Sequence, residues 1–257
     1  MMRKYVVKTY LTFWVMVLGI CGTASMVFHA PPLVMRLLSN LCAWSPTIVL
    51  AVIWRRLRKE QSFGAFVRHC FEGKIKPVLL LVVMLVVFCG VITSAALSAL
   101  IQGREAGSYL ASGGYPLIAS FFLSLTSGPT GEELGWRGYL RDELAKKYSF
   151  VKAALIQGTV WAFWHTVLWF VDSDFTGLAM IPYVLANVIV MCCLAIIMNT
   201  VLEKYPNLLY AVGIHFAFNF AYCFLQTDIL FYMILCVVFV IIAGLFLILR
   251  KKGKEDI

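Results

Sequence analysis

Long apolar runs separated by short charged segments dominate this chain of 257 residues. Several runs reach roughly 18 or more residues without a charge, which is long enough for a helix to cross about 30 Å of hydrocarbon. The short, alternating segments that are typical of a membrane β-barrel do not occur in the pattern. The pattern therefore predicts an all-α, polytopic membrane protein whose helices form one bundle.

The apolar runs predict eight transmembrane helices in a single domain of residues 1–257. In order, the predicted spans are residues 10–28, 37–54, 77–101, from 116 into 131–140, 151–170, 178–198, 208–225 and 229–249. The first run is too long for a signal peptide and lacks a cleavage site of small residues, so we interpret it as the first membrane helix.

The distribution of basic residues predicts the orientation of these helices. Of the 22 Lys and Arg residues, 19 lie at one set of helix ends, Arg36 and Arg104 lie at the opposite set, and Arg137 lies within a motif. Loops rich in Lys and Arg face the cytoplasm. The asymmetry predicts that both termini are cytoplasmic, and it explains the net charge of +9 without nucleic-acid binding.

One segment between the second and third spans has a helical period of its own. Apolar residues recur at Phe63, Phe66, Val67, Cys70 and Phe71, with basic residues among and beyond them. This spacing predicts an amphipathic helix lying on the cytoplasmic membrane surface. A loop packed against the bundle is the alternative.

The composition supports a membrane protein without a disulfide framework. The chain is 61% hydrophobic and 14% charged, whereas a soluble domain is about 25% charged. Nearly all of the eight cysteines lie within apolar runs, and none forms a CxxC pair or a zinc-type spacing. We expect them to act as small buried apolar residues.

The segment 131–140 places charged residues at the edge of an apolar run. Charged side chains are costly there because they lose hydration, so a membrane protein that retains them usually uses them. Glu132 and Glu133 point about 100° apart on a helix. Glu133 and Arg137 are spaced i, i+4 in the favourable order and can pair, which leaves Glu132 as the freer carboxylate and the candidate general base.

Three further polar residues lie inside predicted spans. His165 belongs to the fifth span, while His215 and Asn219 share one face of the seventh. Each could merely satisfy an interhelical hydrogen bond. Because polar groups in a membrane bundle avoid lipid by facing its interior, we expect these residues to converge with the glutamates.

The three motifs resemble those of the CAAX protease and bacteriocin-processing (Abi, CPBP) family of intramembrane endopeptidases. The motifs are Glu-Glu-x-x-x-Arg at 132–137, an aromatic residue four before His165, and His215-x-x-x-Asn219. They indicate a catalytic region of approximately residues 116–225. Trp161 occupies a position where the family usually has Phe, which is a mild departure because the residue stays aromatic.

The resemblance implies a role for each of the six residues. Glu132 and His165 would activate a water, His215 and Asn219 would stabilise the oxyanion, and Glu133 with Arg137 would support the site. A zinc ion held by His165, His215 and Glu132 is a second possibility, since three ligands plus a water form a catalytic zinc site. The sequence contains no HExxH motif, and direct activation of water by Glu132 is favoured.

The predicted function is cleavage of a prenylated or bacteriocin-like peptide near the cytoplasmic side of a bacterial cell membrane, in peptide processing or self-immunity. The resemblance implies membrane lipid and a peptide or prenylated-protein substrate as partners, and no nucleic acid. A proton- or ion-coupled transporter could use the same buried residues, although no inverted repeat is visible. An inactive scaffold is a third alternative, which the complete set of motif residues disfavours.

Overall fold

The computed structural model describes residues 1–111 and 114–255, with side chains as far as Lys252. Over these residues the fold is all-α, as the apolar pattern predicts. The helices are α1 (Met2–Met26), α2 (Pro32–Leu57), α3 (Phe63–Phe71), α4 (Pro77–Ile101), α5 (Leu117–Thr126), α6 (residues 129–145), α7 (Phe150–Val171), α8 (Gly177–Lys204), α9 (Leu209–Tyr222) and α10 (Ile229–Glu255).

Helices lie at all eight predicted spans, and several extend beyond the apolar run that predicted them. α1 begins at Met2 rather than near residue 10. The helical backbone hydrogen bonds extend through this basic segment because long side chains such as that of Arg3 can reach water from the helix end. Proline occupies the first turn of α2, α4 and α6. Its missing N–H is not needed there, since the first turn of a helix has no partner for that group.

Six helices of the described chain are long and apolar enough to cross a membrane, namely α1, α2, α4, α7, α8 and α10. α5 and α9 are shorter, with 10 and 14 residues. At 1.5 Å per residue, α5 alone spans only about 15 Å, and the chain continues it through α6. The chain is a multi-pass membrane protein, while the count of eight spans and the cytoplasmic position of both termini stay predictions.

Close helix contacts in the bundle depend on small residues. α8 packs against α7 and α10, and α9 packs against α4. Where α7 crosses α8, a Cβ at Gly158 would overlap the backbone of Cys192. Small residues let helix backbones approach each other in a membrane, where van der Waals contact drives helix association.

Glycines on one face of α6 seat this helix against α1, α2 and α3. Gly131, Gly135 and Gly138 are spaced i, i+4, i+7. A Cβ at Gly131 would lie 2.7 Å from the ring of Trp44, and one at Gly135 would overlap the hydroxyl of Tyr5. Because this face packs so closely, the charged side chains of α6 project toward α7 and α9 instead.

The amphipathic segment forms α3 (Phe63–Phe71), which confirms the predicted helix. Its apolar side packs on the bundle, with the Phe66 ring 4.3 Å from that of Trp54. The amide of Asn207 donates to the carbonyl oxygens of Phe71 and Gly73 at 2.8 and 2.6 Å. The segment is therefore both helical and packed on the bundle, which combines the two alternatives.

Candidate active site

A break between α5 and α6 positions the first site residue. Gly128 has φ of +149° and ψ of −56°, a conformation that is readily available only to glycine. Its carbonyl oxygen accepts hydrogen bonds from the backbone N–H groups of Gly131 and Glu132 at 2.9 and 2.7 Å. This turn starts α6 deep in the bundle, so Glu132 enters the interior one turn after the break.

The carboxylate of Glu132 is buried and has two different surroundings. Its Oε2 accepts a hydrogen bond from the indole Nε1–H of Trp161 at 2.5 Å. Its Oε1 faces Gly128, where a Cβ would lie 2.5 Å from that oxygen and 3.0 Å from Nε2 of His215. Glu132 Oε1 and His215 Nε2 therefore face the same small space, which exists because residue 128 has no side chain.

Glu133 holds His215 and Arg137 together. Its Oε1 accepts hydrogen bonds from Arg137 at 3.1 Å and from the Nδ1–H of His215 at 2.7 Å. The i, i+4 pairing with Arg137 that the sequence predicts is thus present, and His215 joins it from α9. Because Nδ1 is bonded to Glu133, the ring directs Nε2 toward Glu132.

Arg137 neutralises part of the charge of this cluster without leaving the interior. Its guanidinium carbon lies 3.9 Å from the centre of the Trp161 ring, and Arg137 is 1% exposed. With both glutamates ionised, Arg137 charged and His215 neutral, the cluster has a net charge of −1. One additional proton makes the cluster neutral. That proton can reside on Glu132 or on His215, and a site that shuttles a proton needs such an exchange.

His165 and Asn219 reach the cluster through other residues. His165 lies at an irregular turn of α7, its Nδ1–H donates to the carbonyl oxygen of Trp161 at 2.9 Å, and its ring centre is 6.1 Å from that of Trp161. Asn219 donates to the Ser127 hydroxyl at 3.2 Å. The structure thus brings four of the six predicted residues into one cluster around Trp161, and places the other two beside it.

The zinc set that the sequence suggested does not assemble in the described part of the chain. No three His, Cys, Asp or Glu side chains there are grouped as metal ligands. His165 Nδ1 is bonded to the carbonyl oxygen of Trp161, and Glu132 Oε2 accepts the indole N–H of Trp161. In this arrangement His165, His215 and Glu132 do not form a three-ligand site.

Two residues of the site were missed by sequence reasoning. Pro129 and its neighbouring glycines interrupt the apolar run in the sequence, which indicates an end of the helix there but not the geometry of the turn. The positive φ of Gly128 sets the direction in which α6 begins and so places Glu132 in the bundle interior. Trp161 was noted only as an aromatic residue, although its indole N–H is a hydrogen-bond donor that can bind a carboxylate.

A cavity of about 880 Å³ adjoins the cluster. It lies between α1, α2, α5, α7 and α9, and Asn219 is one of its lining residues. Its walls carry apolar side chains interspersed with hydroxyl groups. A substrate that entered this cavity would reach Asn219 and, beside it, Ser127 and Gly128.

The fold and the site together define a multi-pass helical membrane protein with a buried acid–base cluster. The family model described as type II CAAX prenyl endopeptidase, Rce1-like, matches residues 114–221, a range that contains all six predicted site residues. Residues 114–221 are therefore similar to the CAAX prenyl endopeptidase family, and this match confirms the resemblance that the motifs indicate.

A curated protein shows the same similarity. The chain is 29% identical over 135 residues to CAAX prenyl protease 2 of Methanococcus maripaludis, a match that covers 51% of this chain and 49% of the relative. The chain thus aligns with about half the length of that curated protein.

Proposed function

We propose that the protein is an intramembrane endopeptidase that hydrolyses a peptide bond of a membrane-associated peptide. The observation that carries this proposal is the convergence of Glu132 Oε1 and His215 Nε2 on one space above Gly128. A proton acceptor and a hydrogen-bond donor on opposite sides of a reacting carbonyl are what amide hydrolysis needs.

The reaction follows from this geometry. The Glu132 carboxylate removes a proton from a water molecule, whose oxygen attacks the carbonyl carbon of the peptide bond. The negative charge that develops on the carbonyl oxygen receives hydrogen bonds from His215 and from the side-chain amide of Asn219. The proton then passes from Glu132 to the nitrogen of the departing amine, the C–N bond breaks, and a carboxylic acid and an amine leave.

The remaining residues hold this arrangement in place. Glu133 fixes the ring of His215 through Nδ1 and stabilises the imidazolium form, in which Nε2 carries the donated hydrogen. Arg137 compensates the charge of Glu133, and Trp161 fixes the orientation of the Glu132 carboxylate. We assign His165 the task of binding the attacking water through its Nε2, which its Nδ1–H bond to Trp161 leaves as an acceptor.

The substrate class is a peptide or a prenylated protein terminus, as the family match suggests. The test uses the purified protein in liposomes with a prenylated peptide and the same peptide without the prenyl group, and follows the fragments by mass spectrometry. We expect cleavage of the prenylated peptide and slower cleavage of the unmodified one. Equal cleavage of both peptides would contradict prenyl recognition, and cleavage of neither would contradict the proposed activity.

A chelator in the same assay tests the glutamate-based route. We expect the rate of cleavage to stay unchanged in the presence of the chelator. Loss of cleavage that added zinc restores would overturn direct activation of water by Glu132 and favour the metal-dependent alternative.

A further inference from the structure

A buried glutamine connects α7 to the helix that carries the two glutamates. Gln157 is 0% exposed, and its Nε2–H donates to the carbonyl oxygen of Trp136 in α6 at 2.5 Å. Its Oε1 accepts a hydrogen bond from the side-chain amide of Asn199 in α8 at 2.8 Å. A side-chain amide whose oxygen is held by a donor presents its NH₂ group on the other side. Asn199 therefore fixes which end of the Gln157 amide faces α6.

The acceptor of this bond lies in an irregular part of α6. The segment Leu134–Leu140 has π-helical turns, which are rare and occur frequently at functional sites. The N–H of Arg141 bonds to the carbonyl oxygen of Trp136, whereas an α-helical turn would place the N–H of Leu140 there. A carbonyl oxygen has two lone pairs, so it can also accept from Gln157. The glutamine thus ties one carbonyl of the wide turn to α7.

Two hydrogen bonds between α6 and α7 fix the register of these helices. Gln157 bonds to the carbonyl of Trp136, and Trp161 bonds to the carboxylate of Glu132. The two donors are four residues apart on α7, and the two acceptors are four apart on α6 in the opposite order. Residues with this spacing share one helix face, about 6 Å apart along the axis. A shift of α7 along α6 would therefore strain both bonds together.

Resting on the proteolytic function proposed above, we propose that Gln157, oriented by Asn199, is a positioning residue of the reaction. It keeps the indole of Trp161 level with Glu132, so that the Oε1 atom of the carboxylate points to the space above Gly128. Gln157 acts through α6 and the indole and does not itself contact the reacting atoms. Its loss would leave the helices packed but would release the register, and a displacement of about 1 Å can lower a rate about 10²-fold.

Three variants separate positioning from stability. Gln157→Met keeps the length of the side chain and removes its donor and acceptor, but it leaves the Asn199 amide without this partner. The double variant Gln157→Met/Asn199→Leu removes both polar side chains, which is close to neutral for stability because neither leaves an unpaired amide. The carbonyl of Trp136 still accepts from the backbone of α6. Thr159→Val is the matched control, because this hydroxyl of α7 contacts the thiol of Cys192 in α8 at 3.6 Å.

The indole N–H resonance of Trp161 reports the geometry of the site without any cleavage. The protein is labelled with ¹⁵N at the indole nitrogens, and the resonance is assigned by its loss in Trp161→Phe. Glu132→Gln marks its position when a neutral amide replaces the carboxylate. We expect Gln157→Met and the double variant to move the resonance toward that position, and Thr159→Val to leave it at the parental one. An unmoved resonance in the double variant would overturn the proposal.

Cleavage kinetics in liposomes complete the test. We expect kcat of Gln157→Met and of the double variant to fall about 10–100-fold. KM should stay unchanged, because Gln157 is not among the described residues that line the cavity. A double variant that regains both the parental thermal midpoint and the parental kcat would show that Gln157 contributes only stability, and would overturn its positioning role. A parent that cleaves nothing, although the resonance moves as expected, would contradict the proposed function and leave the link from Gln157 to Trp161 supported.

Discussion

Replacement of Glu132 by glutamine isolates the proton transfer that the proposed reaction assigns to this residue. The indole N–H of Trp161 is a donor only, and it contacts Glu132 Oε2 at 2.5 Å. The indole N–H should therefore bond to the oxygen of the new side-chain amide in the Glu132→Gln variant. The NH₂ group then takes the position of Oε1 and faces Gly128. The variant keeps the size and the main hydrogen bond of the side chain but has no proton acceptor at the reacting space.

The expected loss of activity follows from the usual contribution of general-base catalysis, which is about 10²–10⁴-fold in rate. At 1.36 kcal/mol for each factor of ten, Glu132→Gln should raise the barrier by about 3–5 kcal/mol. The assay is the initial rate of peptide cleavage by the purified protein in liposomes. Thermal unfolding of the same preparation should show a midpoint close to that of the parent.

Glu143→Gln supplies the matched control. Glu143 lies on the same helix as Glu132 but near the surface, where it pairs with Lys146 and Arg58. This variant should retain the parent rate, because Glu143 lies outside the cluster and a partly exposed ion pair contributes only about 0–1 kcal/mol. Cleavage by Glu132→Gln at the rate of the Glu143→Gln control would refute the assignment of Glu132 as the base.

Three other substitutions test the supports of the site and of the bundle. Glu133→Ala should lower the free energy of unfolding by about 3–5 kcal/mol, because it leaves the buried charge of Arg137 unpaired; an unchanged thermal midpoint would contradict this. Gly128→Ala should abolish cleavage, since the positive φ costs about 1–3 kcal/mol and the new methyl group fills the reacting space; a fully active variant would show that the space is not used. Gly158→Ala should destabilise the protein by about 1–3 kcal/mol through overpacking. Gly244→Ala should not, because a Cβ there would meet nothing within 4 Å. Equal thermal midpoints of these two variants would contradict the close crossing of α7 and α8.

The positions of the helices were predictable because lipid imposes a strong rule on the sequence. Every backbone polar group in hydrocarbon must be bonded within the chain, so long apolar runs become helices. The Glu133–Arg137 pair was predictable for a similar reason, since i, i+4 geometry is local. The short length of α5 was not predictable from the sequence. The break at Gly128 that ends this helix depends on the side chains that surround the turn.

The arrangement of the site depends on contacts between distant helices, which local spacing does not encode. His215 lies 82 positions after Glu133, and the sequence indicated only that both should face the interior. The role of Trp161 between Glu132 and Arg137 was hidden for the same reason. The sequence thus predicted which polar residues should converge in the bundle, and the packing of α6 against α7 and α9 determines which of them touch.

The most direct test of the central claim compares cleavage of a prenylated peptide by the parent protein and by the Glu132→Gln and His215→Ala variants. Ion flux is measured in the same liposomes. We predict cleavage by the parent, no detectable cleavage by either variant, and no flux that depends on Glu132. Equal cleavage by all three proteins would contradict the assigned site. Absence of cleavage together with a flux that Glu132→Gln abolishes would identify the protein as a transporter instead.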